Sequence, residues 1–401
     1  MSERNFSSGY IALAPETTKG TIAATPSIYT PVYSQSLTTD IKMMSDEPAY
    51  GSKFKRFKNL PGIRAHGGSV QVMAEPNSAA SWFKMLMQKG STTGSGPYTH
   101  PYTHGNTNPI SYTIDLSLVS HVVRFLGMEA SKIGVGWREE EMVFDVDLSG
   151  LKSFNSREVS SVSGSGPYTI TLKSNGQYDS PTTGLIVGDT IQIYDVSAGS
   201  YIDCVVDGLS TTTITVSEDV TAATSGDVLT IKPATPSLSV LTPFLWARTR
   251  YTFAVDASTA LSNSATASNQ TRLEPGTTLN IMHEFDNNEG SKRSGDFDPA
   301  SLPRKRYDVE LDSKVFLDSP DRFRDWSELT KSALVMRAFS GSSNQYELRI
   351  TLNNLKAKND DAPTESESVI YHEQKFSPEY DESDGQAFDV KIINNKASAA
   401  I

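Results

Sequence analysis

The sequence predicts a mainly β protein with flanking short helices and a small all-β domain inserted midway. Three observations carry this. β-Branched and aromatic residues recur in short runs that alternate apolar and polar positions. Clusters of Gly, Pro, Ser and Asn separate those runs. The helical periodicities are short, and each carries its own start signals.

Residues 1–30 are small and polar, with Pro15, Gly20 and Pro26, and read as an extended N-terminal arm outside the core. Residues 31–156 form the first part of the main domain. In it, HGGSVQVMAEP (66–76) puts Val70 and Val72 on one face of a strand that Pro76 stops. Asn77 is placed to cap a helix whose Ala79, Trp82, Phe83 and Leu86 share a face, with Gly90 at its C-terminal end. Residues 90–109, rich in Gly, Pro, Thr and Tyr, read as a loop. Strands are expected at Ser111–Leu118 and Val122–Leu126. Gly134 and Gly136 then lead into Trp137–Leu151, a long alternating strand. There Met142, Phe144, Val146 and Leu148 fall on one side, and Glu139, Glu141, Asp145 and Asp147 on the other, with Val143 the one apolar exception. Like charges along one strand face repel each other, so this is a wet and unusually acidic face.

Residues 157–236 look inserted, because charge density falls and Ser and Thr rise. Strands are expected at Tyr168–Lys173, Thr190–Val196, Tyr201–Asp207, Thr212–Ser217 and Asp227–Lys232, which suits a small independent barrel or sandwich. The hexapeptide GSGPYT occurs at 94–99 and again at 164–169 and reads as shared linker chemistry.

Residues 237–401 resume the main pattern. Pro243–Val255 contains the strand TRYTFAV, and Ser258–Gln270 reads as a low-complexity loop. Leu279, Ile281, His283 and Phe285 share a face of the strand Thr277–Phe285, and 287–303 read as a loop. RYDVELDSKVFL (306–317) repeats the acidic pattern. Asp308, Glu310 and Asp312 share one face, opposite Tyr307, Val309, Leu311, Val315 and Leu317. A helix is expected next, capped by Ser319, with Pro320 and Asp321 in its first turn and Phe323, Trp326 and Leu329 facing inward. Further strands are expected at Ala333–Phe339, Tyr346–Leu352, Val369–Phe376 and Ala387–Ile393, with an acidic loop at Asp360–Glu367. The order strand, aromatic helix, strands thus occurs twice, which reads as two halves of related architecture.

Composition narrows the chemistry. Of 401 residues, 36 are Lys or Arg and 47 are Asp or Glu, a net charge of −11. Such a chain is poorly suited to gripping a nucleic-acid backbone and well suited to a surface that nucleic acid should not stick to. Cys204 is the single cysteine, so no intrachain disulfide is possible, and a reducing site of assembly fits. The N-terminus shows no secretory signal, and no apolar run is long enough to insert in a membrane. His100 and His104 are spaced like metal ligands, but Pro101 lies between them and no third ligand is near, so no metal is expected. No nucleophile elbow, phosphate loop or dinucleotide fingerprint is present, and no cofactor or enzymatic activity is expected. Trp82 and Trp326 fit helix core faces. The basic runs KFKRFK (53–58) and Arg304–Arg306 suit contacts with acidic neighbours.

VVRFLGMEASKIGVGWREEEMVFDVDLSGL (122–151) and SVIYHEQKFSPEYDESDGQAFDVKIINN (368–395) together resemble the tail tube (major tail) proteins of long-tailed bacteriophages. The resemblance lies in order and spacing. Phe125–Gly127 precedes a long alternating strand. Near the C-terminus a strand, an acidic turn (Asp381–Gly385) and a last strand closing on Asn394–Asn395 follow one another. It covers most of the chain outside 157–236. It implies a tail-tube-type β-sandwich or barrel whose copies form hexameric rings, or trimeric rings with pseudo-sixfold symmetry. Rings would stack into a tube, and strands from successive subunits would join into one inner barrel without exposed edges. The implied partners are the chain itself, the tape-measure, terminator and baseplate proteins, and DNA that passes without specific binding. The implied location is the virion tail, assembled in the host bacterial cytoplasm. The insert would decorate the outside. Glu139, Glu141, Asp145, Asp147, Asp308, Glu310 and Asp312 become the candidates for lining the channel, since a repulsive wall lets DNA leave quickly.

Other readings stay open. A tail terminator or baseplate ring would cap and not polymerise. A polysaccharide-degrading virion protein would need a carboxylate pair about 5–9 Å apart in a cleft. A carbohydrate-binding insert would need exposed aromatics, for which Tyr178, Tyr194 and Tyr201 are available.

Overall fold

Period-two patterning resolves into antiparallel strands over most of the chain. A computed structural model describes residues 9–46, 58–105, 107–118, 120–174, 180–236, 242–265, 271, 273, 276–285, 298–299, 301–316, 332–357, 364–366 and 369–397. The first part holds β1 (Ile11–Pro15), β2 (Ile28–Thr30), β3 (Val32–Gln35), β4 (Thr38–Asp46), β5 (Lys58–Met73), α1 (Pro76–Leu86), β6 (Gln88–Lys89), β7 (Tyr98–Thr103), β8 (Tyr112–Ser117), β9 (Val122–Arg138), β10 (Glu141–Gly150) and β11 (Lys152–Phe154). The insert holds β12 (Ser156–Ser163), β13 (Tyr168–Leu172), β14 (Thr190–Asp195), β15 (Ser200–Val205), β16 (Gly208–Leu209), β17 (Thr213–Val216) and β18 (Val228–Ile231). The last part holds β19 (Thr249–Ala254), α2 (Ala257–Ser264), β20 (Thr278–Met282), β21 (Asp308–Phe316), β22 (Ser332–Ser340), β23 (Tyr346–Ala357), β24 (Thr364–Ser366), β25 (Val369–Ser377) and β26 (Phe388–Asn394).

Two sheets form the main sandwich. The larger runs β5–β10–β9–β20–β21–β25, with β3 and β4 along the outer side of β5 and β24 along the outer side of β25. The first part of the chain supplies β5, β10 and β9, the last part supplies β20, β21 and β25, and the triplets join at β9–β20. The second sheet runs β19–β22–β23–β26–β7–β6. Val135, Leu279 and Leu311 of the larger sheet meet Tyr251, Leu334, Met336, Ile350 and Leu352 of the smaller one around a small internal void. α1 packs against β9 and β26, with Trp82 and Phe83 fully buried and the Phe83 ring edge-on to Phe144 at 5.6 Å. Burying those two aromatics is worth several kcal/mol, roughly 1.5–3 for each large side chain.

Several expectations are corrected. Residues 9–30 are not an arm outside the core: β1 pairs with β2 and β8, and Ile11 and Leu13 are fully buried. The strand expected at Val122–Leu126 runs on through Gly127 to Arg138 as one 17-residue strand, with Gly127 at φ +67 where a Cβ would lie 2.8 Å from Leu151 Cγ, and the alternating stretch from Trp137 divides between the end of β9 and β10. Residues 90–109 contain a strand, β7, whose inward residues are His100 and Tyr102 and so give no aliphatic signal. α1 starts with Pro76 after Glu75, and its C-cap Met87 is extended, so the chain enters β6 without using Gly90 as a left-handed cap. The segment from Ser258 starts inside α2, where the Asp256 side chain accepts the Thr259 N–H at 2.7 Å. The helix expected at 319–329, the basic run at 53–57 and most of Asp360–Glu367 lie outside the described residues.

The insert has its own core, in which Val159, Ile170, Ile191, Ile193, Cys204, Ile214 and Leu229 pack together. Val122 and Phe154 of the main body join that cluster, and Val122 pairs with Ile231. The two GSGPYT copies build the same turn. Thr93 opposes Thr99 as Ser163 opposes Thr169, both Gly–Pro bonds are cis, and Gly94, Gly96, Gly164 and Gly166 all have positive φ. The hexapeptide is therefore a hairpin turn.

Candidate functional site

Strand register brings the two acidic strands onto one surface. Gln71, Asp145, Gly134, Asn280 and Glu310 lie in one row across β5, β10, β9, β20 and β21. The next row is Ser69, Asp147, Lys132, Met282 and Asp308, and on the other side lie Met73, Val143, Gly136, Thr278, Asp312 and Lys375. The intervening residues, among them Val70, Val146, Phe144, Ile133, Val135, Ile281, Val309 and Leu311, are buried against the second sheet. Thus Glu141, Asp145, Asp147, Asp308, Glu310 and Asp312 share the face that points away from the core. Asp145 and Asp308 are exposed, and the other four are half-buried.

Glu139 departs from the expected strand. β9 ends at Arg138, which pairs with Glu141, so Glu139 and Glu140 form a two-residue turn with Glu139 at φ +56. Asn-Gly and Asp-Gly are the usual signals for such a turn, and Glu-Glu carries none. Glu139 therefore sits at one end of the sheet and not on its face.

The face is mixed in charge. Lys132, Arg138, Lys314 and Lys375 stand on it beside the six carboxylates and Glu373, so carboxylates outnumber cations among the described residues. Lys375 Nζ lies 3.5 Å from Asp312 and Lys314 Nζ 2.7 Å from Glu373. Gln71 donates to Asp145 at 2.8 Å. Tyr33 donates to Glu141 at 2.5 Å while the Arg138 guanidinium lies 4.3 Å from the Tyr33 ring centre; burial and the Glu141 carboxylate push the Tyr33 hydroxyl up to about 12. Sequence reasoning missed these cations and amides because lateral neighbours depend on register. The usable signal was Gly134 and Gly136, spaced by two: glycine keeps the polar face low between the acidic strands, and a Cβ on Gly134 would meet Asn280 Oδ1 at 3.1 Å.

Arg124 anchors the insert. Its side chain is fully buried, with Nε 2.7 Å from Asp115 Oδ1, Nη1 2.6 Å from Asp189 Oδ2, and a further bond to the Gly184 carbonyl at 3.0 Å. Burial opposes its charge, but the two carboxylates outweigh burial and raise its pKa above the usual guanidinium value. Asp189 belongs to the insert and Asp115 to β8, so one cation joins the two parts.

Two imidazoles sit in hydroxyl–imidazole–acid chains of the kind that can activate a nucleophile. Thr39 Oγ1 is 3.0 Å from His66 Nδ1, and His66 Nε2 is 3.0 Å from Asp298. The same geometry recurs at Thr92, His100 and Asn394, where an amide replaces the carboxylate. Both rings are buried. In each, the imidazole ties together segments far apart in the chain, Thr39 with Asp298 and Thr92 with Asn394. His104 accepts from the Ala387 N–H at 3.0 Å, so His100 and His104 work in separate networks. Among the described residues no group of three or more His, Cys, Asp or Glu is placed to hold a metal ion, and no helix is long and apolar enough to cross a membrane. The rings of Tyr194 and the exposed Tyr201 lie 5.1 Å apart, tilted by 51°, on the insert, and Tyr178 lies outside the described residues.

No family model matches the chain, and no curated protein matches it.

Proposed function

We propose that this chain is the structural subunit of a phage tail tube. Copies would join edge to edge into rings, rings would stack, and the polar face of the larger sheet would line the conduit for DNA. The observation that carries this reading is the convergence of the two acidic strands on one face of one continuous sheet, whose other face is sealed against a second sheet.

Two further features support it. The larger sheet ends in an open edge at β4, which borders only β5 among the described residues, while the outer side of β25 carries the three-residue β24 and the last residues of β23. Long unpaired edges invite strand addition, and closing a ring of copies removes them. The six central strands, β5 to β25, also come three from each part of the chain. That make-up suits a trimeric ring with pseudo-sixfold symmetry, in which each chain fills two sectors, as well as it suits six smaller repeats. The insert hangs from the N-terminal half of β9, away from the acidic rows, which fits an outer decoration.

On this reading the protein belongs to the virion tail and is assembled in the host bacterial cytoplasm. It carries no enzymatic role and meets tape-measure, terminator and baseplate proteins. DNA passes it without specific contact, since phosphate repulsion replaces the Lys and Arg grip that binding needs. Negative-stain microscopy of the purified protein tests the class: rings or tubes with a central hole are expected. A species that stays monomeric across concentration and salt, or a ring that never stacks, would count against a tube and, in the second case, favour a terminator.

A further inference from the structure

We infer that successive copies engage through a fixed pair of surfaces: the Glu139–Glu140 turn of one copy seats in the groove beside Lys305 and Arg306 of the next. This rests on the tube reading and specifies how its rings would meet.

The two surfaces lie at opposite ends of the larger sheet. β9 and β10 meet at the Glu139–Glu140 turn. Met282 pairs with Lys132 and with Asp308, so residues 304–307 enter the sheet at the far end of β9's C-terminal half, six residues from Arg138. At about 3.3 Å per residue that is roughly 20 Å along the strand. Copies related by a shift along the strands therefore present one surface to the other.

The groove has a volume of about 730 Å³, and its walls include His104, Tyr307, Tyr380 and Phe388. That lies within the range of sites that enclose a ligand or a narrow chain segment. Of the three consecutive cations on its wall, Arg304 is occupied within the fold by Glu129 and by the carbonyls of Met85, Ala130 and His283. Lys305 pairs with Glu284 at 3.1 Å, but both side chains are more than half exposed, and such pairs exchange at little cost. Arg306 is exposed. Among the described lining residues Asp308 is the only carboxylate. The groove thus offers two reachable cations above an aromatic floor.

The turn is the complementary shape and charge. Glu139 and Glu140 are both exposed on a two-residue tip, whose stem is braced by the Tyr33–Glu141 hydrogen bond, by Trp137 packed edge-on to Trp246 at 4.9 Å, and by the Trp246 N–H on the Glu140 carbonyl at 2.8 Å. A braced tip loses little freedom when it docks.

The test uses the full chain. Glu140→Cys with Arg306→Cys is oxidised under mild conditions; Cys204 is buried and stays out of the reaction. A ladder of covalently linked copies on non-reducing gels is expected, and its absence overturns the inference. In parallel, E139K/E140K and K305E/R306E are each expected to shorten tubes at least tenfold, and the fourfold charge-swapped chain to restore their length. Unchanged tubes in either reversal, or failure of the folded fourfold variant to elongate, overturn it. Tubes without a ladder reject this contact and leave the tube reading intact. A ladder without a hollow particle keeps the contact and rejects the tube reading.

Discussion

Asp145 and Glu310 lie in one row of the larger sheet, with only Gly134 and Asn280 between them. Their strands come from opposite sides of the insert in the sequence. Reversing their charge should leave the fold intact, because Asp145 is exposed and Glu310 half-buried; changes at such positions stay within about 0.5 kcal/mol. Tubes of Asp145→Lys/Glu310→Lys are expected to retain DNA fragments in a salt-dependent manner that wild-type tubes do not show. Equal retention by both would place this face away from the conduit.

Arg124 carries a heavier load. Arg124→Met leaves Asp115 and Asp189 facing each other without a cation, and breaking a buried pair in this way costs roughly 3–5 kcal/mol. Urea denaturation should show that loss. Deleting 158–235 removes Asp189 but keeps the Asp115–Arg124 pair, so the shortened chain is expected to fold, with reduced stability, and to assemble into tubes. A folded deletion variant that cannot polymerise would show that the insert is needed for more than decoration.

His283 makes stability depend on pH. Burial, reinforced by Arg304, pushes its imidazole down to about 4 from an ordinary 6.5. Between those values the unfolded chain binds a proton that the native chain refuses, so stability is complete above pH 6.5 and falls as pH drops toward 4. The loss is up to about 3 kcal/mol for a shift of this size. His283→Phe keeps a ring against Tyr307, which His283 stacks on at 3.8 Å, and should flatten the slope of urea midpoint against pH. His100 is also shifted down, mainly by burial, so a residual slope is expected.

The twin turns offer a paired comparison. Gly94 and Gly164 have φ of 96° and 105°, and a Cβ would come within 2.8 and 2.6 Å of the carbonyl oxygens of Pro97 and Pro167. Alanine at either position should cost roughly 1–3 kcal/mol. Gly164→Ala should lower the melting of the insert, and Gly94→Ala that of the sandwich, as read by hydrogen exchange in each part.

Cys204 reports on the insert directly. Burial, with Glu218, Asp203 and Asp207 nearby, pushes its thiol up to about 12. Its reaction with a thiol reagent should be slow in the native chain and should accelerate in Gly164→Ala but not in Gly94→Ala.

Alternation made β10 and β21 readable because each buries one face and wets the other. It could not supply their adjacency, since the partner of a strand depends on side chains elsewhere in the chain. Only the first five residues of β9 and its last two read as strand, because Gly127, Gly134 and Gly136 interrupt the alternation between them, although a glycine inside a strand also marks a bend or a close approach. β1 was overlooked because a short IALAP among small polar residues carries little apolar mass, yet it fills a slot beside β8. α2 hid in a Ser-rich stretch whose one clear sign was Asp256. Of the candidate lining residues, period put three of β10 and three of β21 on the polar face of their own strands, and it put Glu139 there as well, in error, because its turn lacks turn-forming residues.

The unbroken course of β9 has a mechanical consequence. One end pairs with the insert at Val122, and the other reaches the Glu139–Glu140 turn. β8 and β11 flank its first half, β10 and β20 its second. A tug on the insert is therefore delivered lengthwise to a strand clamped on both sides. Its hydrogen bonds are loaded together in shear instead of being peeled singly, so the insert would transmit force into the sheet before detaching from it.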